Sequence, residues 1–249
     1  MNTLYLELLK RCLTRSVLPD ARYEIPDTSN PLPYSHELRL DGRDWPVEAF
    51  TMVGVKRLEC LQQLLTTALE HGIRGDVVEC GVWRGGASIF MRGVLVALGQ
   101  TFRNVWLYDS FQGLPKPKPE YTRLGMSDVD LTWYNNYLSV PLCTVRDNFK
   151  HFDLLSENVK FVPGWFSDTL PQAEVNKIVL LRLDGDMYES TIVALESLYP
   201  KISPGGYVVI DDYGALDVCA EATNDFRKKH GITNSIVPID WTGVYWQVS

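Results

Sequence analysis

The chain has 249 residues, 45% of them hydrophobic and 22% charged, which is enough for one large α/β domain with a sizeable core. Its formal net charge of −7 leaves no basic surplus to neutralise phosphates, and so argues against nucleic acid or an anionic membrane surface as a partner. No apolar run reaches the roughly 18–20 residues of a membrane span, and the N-terminal stretch MNTLYLELLKRCLTR carries Glu7 inside its apolar part, unlike a secretory leader.

In chain order, residues 3–17 have helical spacing, with Leu4, Leu8 and Leu9 on one face. Residues 18–50 are rich in Pro, Asp and Ser and predict an irregular arm. With the helix before it, this arm (1–50) is expected to serve packing or contacts in a homo-oligomer, a dimer or higher. Residues 53–71 predict a helix ended by His71-Gly72. From there strands and helices alternate: strand 76–80, helix 88–99, strand 104–109, helix 143–152, strand 159–164, strand 176–184, helix 190–200, strand 205–212 and helix 215–231. Residues 235–240 and 243–249 predict a closing antiparallel pair. Between 113 and 141 there is no clear period. Pro115, Pro117 and Pro119 lead to Trp133, Tyr134 and Tyr137, and a loop of this length (about 114–140) is expected to be a lid or binding loop. Five widely spaced cysteines (Cys12, Cys60, Cys80, Cys143 and Cys219) form no metal or CxxC signature, so reduced thiols in a cytoplasmic protein are expected.

Such alternation predicts a mostly parallel sheet with helices on both faces and the C-terminal strand ends along one edge, where open α/β sheets bind ligands. Acidic residues recur at that edge: Glu79, Asp109, Asp184, Asp186, Asp211 and Asp212. The first strand enters a glycine-rich turn, ECGVWRGGAS (79–88), which is not GxGxxG. Glu79 would repel a pyrophosphate and favour a cationic ligand such as S-adenosylmethionine, whose carboxylate could use amides near Gly86 to Ser88. Asp109 is placed to accept from a ribose diol.

Asp184 ends one strand and Asp211-Asp212 the next, on neighbouring strands about 4.8 Å apart. Three converging carboxylates without Cys or His select a hard cation, Mg²⁺ or Mn²⁺. Asp186, separated from Asp184 by a glycine that leaves the backbone free to turn, is the candidate general base beside the metal. An alcohol near pKa ~15.7 is out of reach of a carboxylate near ~3.9 unless a metal lowers the first value, so each needs the other. Other readings of these residues are acidic turns without chemistry, a nicotinamide oxidoreductase, a carbohydrate-binding module and methylation of a catechol-like phenol.

The blocks TMVGVKRLECL, ECGVWRGGAS, YDSFQGLP, GWFSDTLP, LRLDGDMYEST, GGYVVIDDYG and DWTGVYW resemble the macrocin O-methyltransferase family, bacterial enzymes that methylate sugar hydroxyls in antibiotic biosynthesis. The resemblance runs from about Thr51 to the C-terminus. It implies a Rossmann-like class I methyltransferase fold over 51–249, with a seven-stranded, mostly parallel sheet. It also implies dependence on S-adenosylmethionine and Mg²⁺, and a sugar-containing substrate. Carried over by position, the metal ligands are Asp184, Asp211 and Asp212, and the base is Asp186. The cofactor contacts are Thr51, Met52, Glu79, Cys80, Gly81, Val82, Trp83, Ser88, Asp109, Ser110, Gly113, Trp165, Phe166 and Ser167.

Overall fold

The computed structural model describes residues 3–25, 27–118 and 130–249; residues 119–129 of the expected lid, Pro119 among them, lie outside the described residues. Helix α1 (Thr3–Leu13) is shorter than its spacing suggested and ends before Arg15, which has a φ of 55°. Leu6, Leu9 and Leu13 face inward, while Leu4 and Leu8 are 80% and 53% exposed. Both stripes of this helix are apolar, and the buried one is the stripe that meets Gly93, where Leu9 leaves no room for a side chain.

The stretch expected to be irregular instead holds β1 (Arg22–Glu24), β2 (Asp27–Leu32), α2 (His36–Asp41) and β3 (Trp45–Pro46). These strands form a small antiparallel sheet in the order β2-β1-β3. Its anchor is ionic, which is why no apolar period announces it. The buried Arg39 donates from Nε to Asp44 Oδ2 at 2.8 Å and from Nη1 to Asp20 Oδ1 at 2.6 Å and the Thr14 carbonyl at 2.7 Å.

Next come α3 (Val55–Glu70), β4 (Asp76–Cys80), α4 (Gly86–Ala97), β5 (Val105–Asp109), α5 (Asn135–Leu138), α6 (Leu142–His151) and β6 (Val159–Pro163). The chain then continues through α7 (Phe166–Thr169), β7 (Ile178–Leu183), α8 (Tyr188–Leu198), β8 (Ile202–Ile210), α9 (Asp217–Lys229), β9 (Val237–Pro238) and β10 (Val244–Gln247). The seven-stranded sheet has the order β6-β5-β4-β7-β8-β10-β9; the first five strands are parallel and β10 runs antiparallel to β8 and β9. This is the expected sheet with its closing antiparallel pair. One core layer packs α1, α3 and α4 against Val77, Leu107, Leu180 and Val209; the other packs α8 and α9 against Val78, Leu181, Val208 and Ile210. Every position of β7 is buried, as in a central parallel strand covered on both faces. Within it, full burial of each aliphatic side chain contributes about 1.5–3 kcal/mol. Arg182 is its one charged residue and needs ionic partners to sit there. Among the described residues no helix is long and apolar enough to cross a membrane.

Candidate active site

β4 and β7 are hydrogen-bonded neighbours that end side by side, and the turn after β4 is built to touch the residue after β7. Gly81 has a φ of 87°, and a Cβ there would collide with the Asp184 carbonyl oxygen. The Asp184 amide donates to the Cys80 carbonyl at 2.9 Å, and the Gly81 amide to the Tyr108 carbonyl at 2.9 Å, so three strand ends are laced together. At the start of α4, the Gly86 amide donates to the Phe50 carbonyl at 3.0 Å. That amide, expected to be available to a ligand carboxylate, is committed to the segment before α3. Asp109 accepts from the Val82 amide at 2.7 Å on Oδ2 and from the Phe111 amide at 2.6 Å on Oδ1. The residue still faces the cavity.

β7 and β8 pair Leu183 with Ile210, so Asp184 and Asp211 emerge from adjacent strand ends. One carboxylate oxygen from each of Asp184, Asp211 and Asp212 lies within 4.8 Å of the others. Two guanidiniums enter this group. Arg182 donates from Nη2 to Asp184 Oδ2 at 2.9 Å and to Asp211 Oδ1 at 2.6 Å, and from Nη1 to Glu79. Arg57 on α3 donates to Asp211 Oδ2 and, from Nε, to Asp240 Oδ2 at 3.0 Å. Among the described residues the carboxylates of Asp186 and Asp212 have no cation within ion-pair distance, and only Arg57 pulls on Asp212 from farther off. The Asp186 amide donates to Asp212 Oδ2 at 3.4 Å.

The electrostatics follow from this layout. Burial, then repulsion from Asp184 and Asp211, pushes the Asp186 carboxyl up to about 7. Burial and the same neighbours, Asp186 foremost, push Asp212 well above the carboxylate range. Asp184 is raised by burial, with Arg182 pulling the other way. Asp211 alone is held low: burial opposes its ionisation, but Arg182 and Arg57 outweigh it. Glu79 is raised by burial to about 7 against the pull of Arg182 and Ser88.

A cavity of 770 Å³ runs along this edge, within the usual range for small-molecule sites. Of the residues singled out in the sequence, Met52, Gly81, Val82, Trp83, Asp109, Ser110, Gly113, Trp165, Phe166, Ser167, Asp184, Asp186, Asp211 and Asp212 line it. Thr51, Glu79, Cys80 and Ser88 are buried behind the wall instead. Glu79, expected to meet a ligand's charge, is spent on Arg182 and the Ser88 hydroxyl. The lid aromatics divide: Tyr134 lines the cavity, Trp133 stacks on it with centroids 3.5 Å apart, and Tyr137 is buried with its hydroxyl on the Pro46 carbonyl at 2.6 Å.

Sequence reasoning missed Arg57 and Arg182, together with Arg43, Trp45 and Trp241 on the cavity wall. Only Arg182 left a trace, as a charge inside an apolar strand. Trp45 stacks on Tyr134 with centroids 5.4 Å apart and planes 1° from parallel, and Arg43 lies 4.5 Å over the Trp241 ring.

The comparisons agree with this geometry. A sequence model of the macrocin-O-methyltransferase (TylF) family matches residues 2–248. The 8-demethyl-8-(2,3-dimethoxy-alpha-L-rhamnosyl)-tetracenomycin-C 4'-O-methyltransferase of Streptomyces olivaceus is 48% identical, over 98% of this chain and 92% of that protein. The mycinamicin III 3''-O-methyltransferase of Micromonospora griseorubida is 44% identical, over 99% of this chain and 96% of that protein. The solved structure of the O-methyltransferase NovP superposes with a TM-score of 0.91 at 44% identity, covering 99% of both chains. A family match over nearly the whole length, on a sheet whose glycine turn and acidic edge share one cavity, means that the chain belongs to the macrocin O-methyltransferase (TylF) family and is an S-adenosylmethionine-dependent O-methyltransferase.

Proposed function

We propose that the enzyme methylates a hydroxyl of a sugar, carried by a nucleotide or a glycosylated natural product, with a divalent cation on Asp184, Asp211 and Asp212 and with Asp186 as general base. The observation that carries this reading is the convergence of those three carboxylates within 4.8 Å, on the wall of the cavity that the glycine turn also lines. The donor set fits a hard ion, Mg²⁺ or Mn²⁺, since every ligand is a carboxylate oxygen. Asp184 and Asp212 offer the less occupied oxygens, because both Asp211 oxygens already accept from guanidiniums. When bound, the cation supplies Lewis acidity that orients a vicinal diol and lowers the pKa of its hydroxyls.

The chain's own residues do the rest. The Gly81–Trp83 turn, Asp109 and the Trp165–Ser167 segment would hold the methyl donor. Asp186 would take the proton from the accepting hydroxyl; its burial, the largest cause of its raised pKa, makes it a stronger base than an exposed aspartate. Tyr134, whose phenol is raised by burial and then by Asp186, would cover the base and exclude water. Trp45 behind it offers an aromatic face to the sugar ring. Much of the acceleration would be positional, setting the oxygen in line with the methyl group.

The test is S-adenosylhomocysteine release across a panel of nucleotide sugars, glycosides and catechols, with EDTA and with Mg²⁺ added back. Turnover on a sugar, lost with EDTA and restored by Mg²⁺, is expected. Full activity in EDTA overturns the cation, and turnover confined to catechols overturns the sugar. A further readout belongs to Asp109: Asp109→Ala removes two amide acceptors along with the proposed ribose contact, and is expected to weaken S-adenosylhomocysteine binding about tenfold or more by calorimetry.

A further inference from the structure

Arg182 pairs in the sheet with Glu79 on β4 and with Val209 on β8. Strand alternation puts Asp184 and Asp211, two residues beyond Arg182 and Val209, on the same side of the sheet. This is the side that α3 and α4 cover. From there one guanidinium reaches three carboxylates: Glu79, Asp184 and Asp211. Glu79 also accepts from Ser88 in the first turn of α4, behind the glycine turn. A continuous line of charged groups therefore runs from the start of the α4 helix to the carboxylates of the proposed cation site. Arg182 and Glu79 are each 1% exposed and neither lines the cavity, so neither touches a reactant.

Stability alone does not account for such a residue. Buried ion clusters are often replaced by well-packed apolar side chains at no cost or with a gain. What an apolar side chain cannot do is fix the orientation of carboxylates that must hold a ligand, and partners of this kind behind metal ligands typically change affinity 10–100-fold. The fork also matters, since lysine keeps the charge but presents a single nitrogen.

We propose that Arg182 is a positioning residue that sets the Asp184–Asp211 pair and the methyl-donor turn together, through Glu79 on one side and the two aspartates on the other. This rests on the proposed cation site. The experiment measures Mn²⁺ affinity by electron paramagnetic resonance and S-adenosylhomocysteine affinity by calorimetry for the wild type, Arg182→Lys, Glu79→Gln and Arg57→Lys, with melting temperature as the check on folding. Arg182→Lys is expected to weaken both affinities about tenfold or more. Glu79→Gln, which leaves every aspartate intact, is expected to weaken Mn²⁺ binding several-fold as well, because Arg182 loses its anchor. Arg57→Lys touches Asp211 and Asp240 but not Glu79, and should weaken Mn²⁺ alone. Arg182→Lys with both affinities unchanged, or Glu79→Gln with Mn²⁺ affinity unchanged, overturns the proposal. If Arg182→Lys does not fold, Glu79→Gln decides by itself. A wild type that binds no Mn²⁺ overturns the cation reading, and this inference with it.

Discussion

Asp186 carries its side chain on a backbone with a φ of 58°, in the left-handed region, whereas Gly185 does not have a positive φ. The sequence suggested that the glycine supplies the turn between metal ligand and base. In the structure Gly185 serves another purpose, since a Cβ at 185 would lie 2.9 Å from Ser190 Cβ and 3.2 Å from the Phe166 ring. Glycine is there for space, and the aspartate makes the turn, which Asp and Asn tolerate better than other side chains. Asp186→Asn therefore keeps the backbone and removes the proposed base. Turnover should fall by about 10²–10⁴-fold while S-adenosylhomocysteine and Mn²⁺ affinities stay within about twofold; near wild-type turnover would sink the assignment. Asp186 also sets a pH dependence. Its carboxyl is raised to about 7, so in the protein without cation its ionised form appears only as pH rises through that value. An opposite charge nearby favours the ionised form, so saturating Mg²⁺ should move the acid limb of kcat/KM to lower pH than limiting Mg²⁺ does. A limb that stays fixed would show that the titrating group is not beside the cation.

The N-terminal arm, read as packing, contributes Gly42, Arg43, Asp44 and Trp45 to the cavity. β3 meets Tyr134 and α5 across it, through Trp45 on Tyr134 and the Tyr137 hydroxyl on Pro46. Trp45→Ala should raise the acceptor KM about tenfold, leave the KM for S-adenosylmethionine unchanged, and cost about 0.5–1.5 kcal/mol of stability from the lost aromatic pair. Steady-state kinetics in both substrates would read the split, and a change confined to the methyl donor would place Trp45 elsewhere in function. The difference between what was and was not legible lies in the kind of force that holds each element. β4, β7 and β8 are buried apolar runs with turn signals on either side, and α3 has a clean stripe through Leu58, Leu61, Leu65 and Ala68, so both kinds of element were visible from pattern. The arm is pinned by Arg39 to Asp20, Asp44 and the Thr14 carbonyl, and an ion cluster has no period to detect.

Across the whole molecule the same asymmetry governs the site. The aspartates stood out because they follow strands, but of the two guanidiniums that meet them only Arg182 shares such a strand; Arg57 lies 154 positions from Asp211, on α3. Crowding of the carboxylates is therefore relieved in part by the chain itself. Arg57 and Arg182 already neutralise part of it, and Thr242 fixes the Asp211 carbonyl with a 2.9 Å hydrogen bond from the C-terminal segment. The protein should thus fold without metal, with Asp211 ionised between those two cations, while the raised carboxyls of Glu79, Asp184, Asp186 and Asp212 remain open to neutralisation by protons. Asp184, Asp186 and Asp212 have folded pKa values above their unfolded ones, so in the protein without cation the folded state binds protons that the unfolded state has lost. Their contribution to stability is complete below the unfolded value, near ~4, and declines as pH rises through about 7. Asp211, held low, contributes in the opposite sense: its share is present at neutral pH and is lost only in acid. In EDTA the melting temperature should therefore fall between about pH 5.5 and about pH 8. Saturating Mg²⁺ should raise it by a few degrees at the higher pH, at about 2–4 °C per kcal/mol for a chain of this size, and by clearly less at the lower pH, where protons already occupy the carboxylates. Scanning calorimetry at both pH values, with and without Mg²⁺, measures this directly. An equal shift at both would mean that the cation binds away from the three raised aspartates, and no shift at either would mean that Arg57 and Arg182 are all the positive charge the cluster accepts.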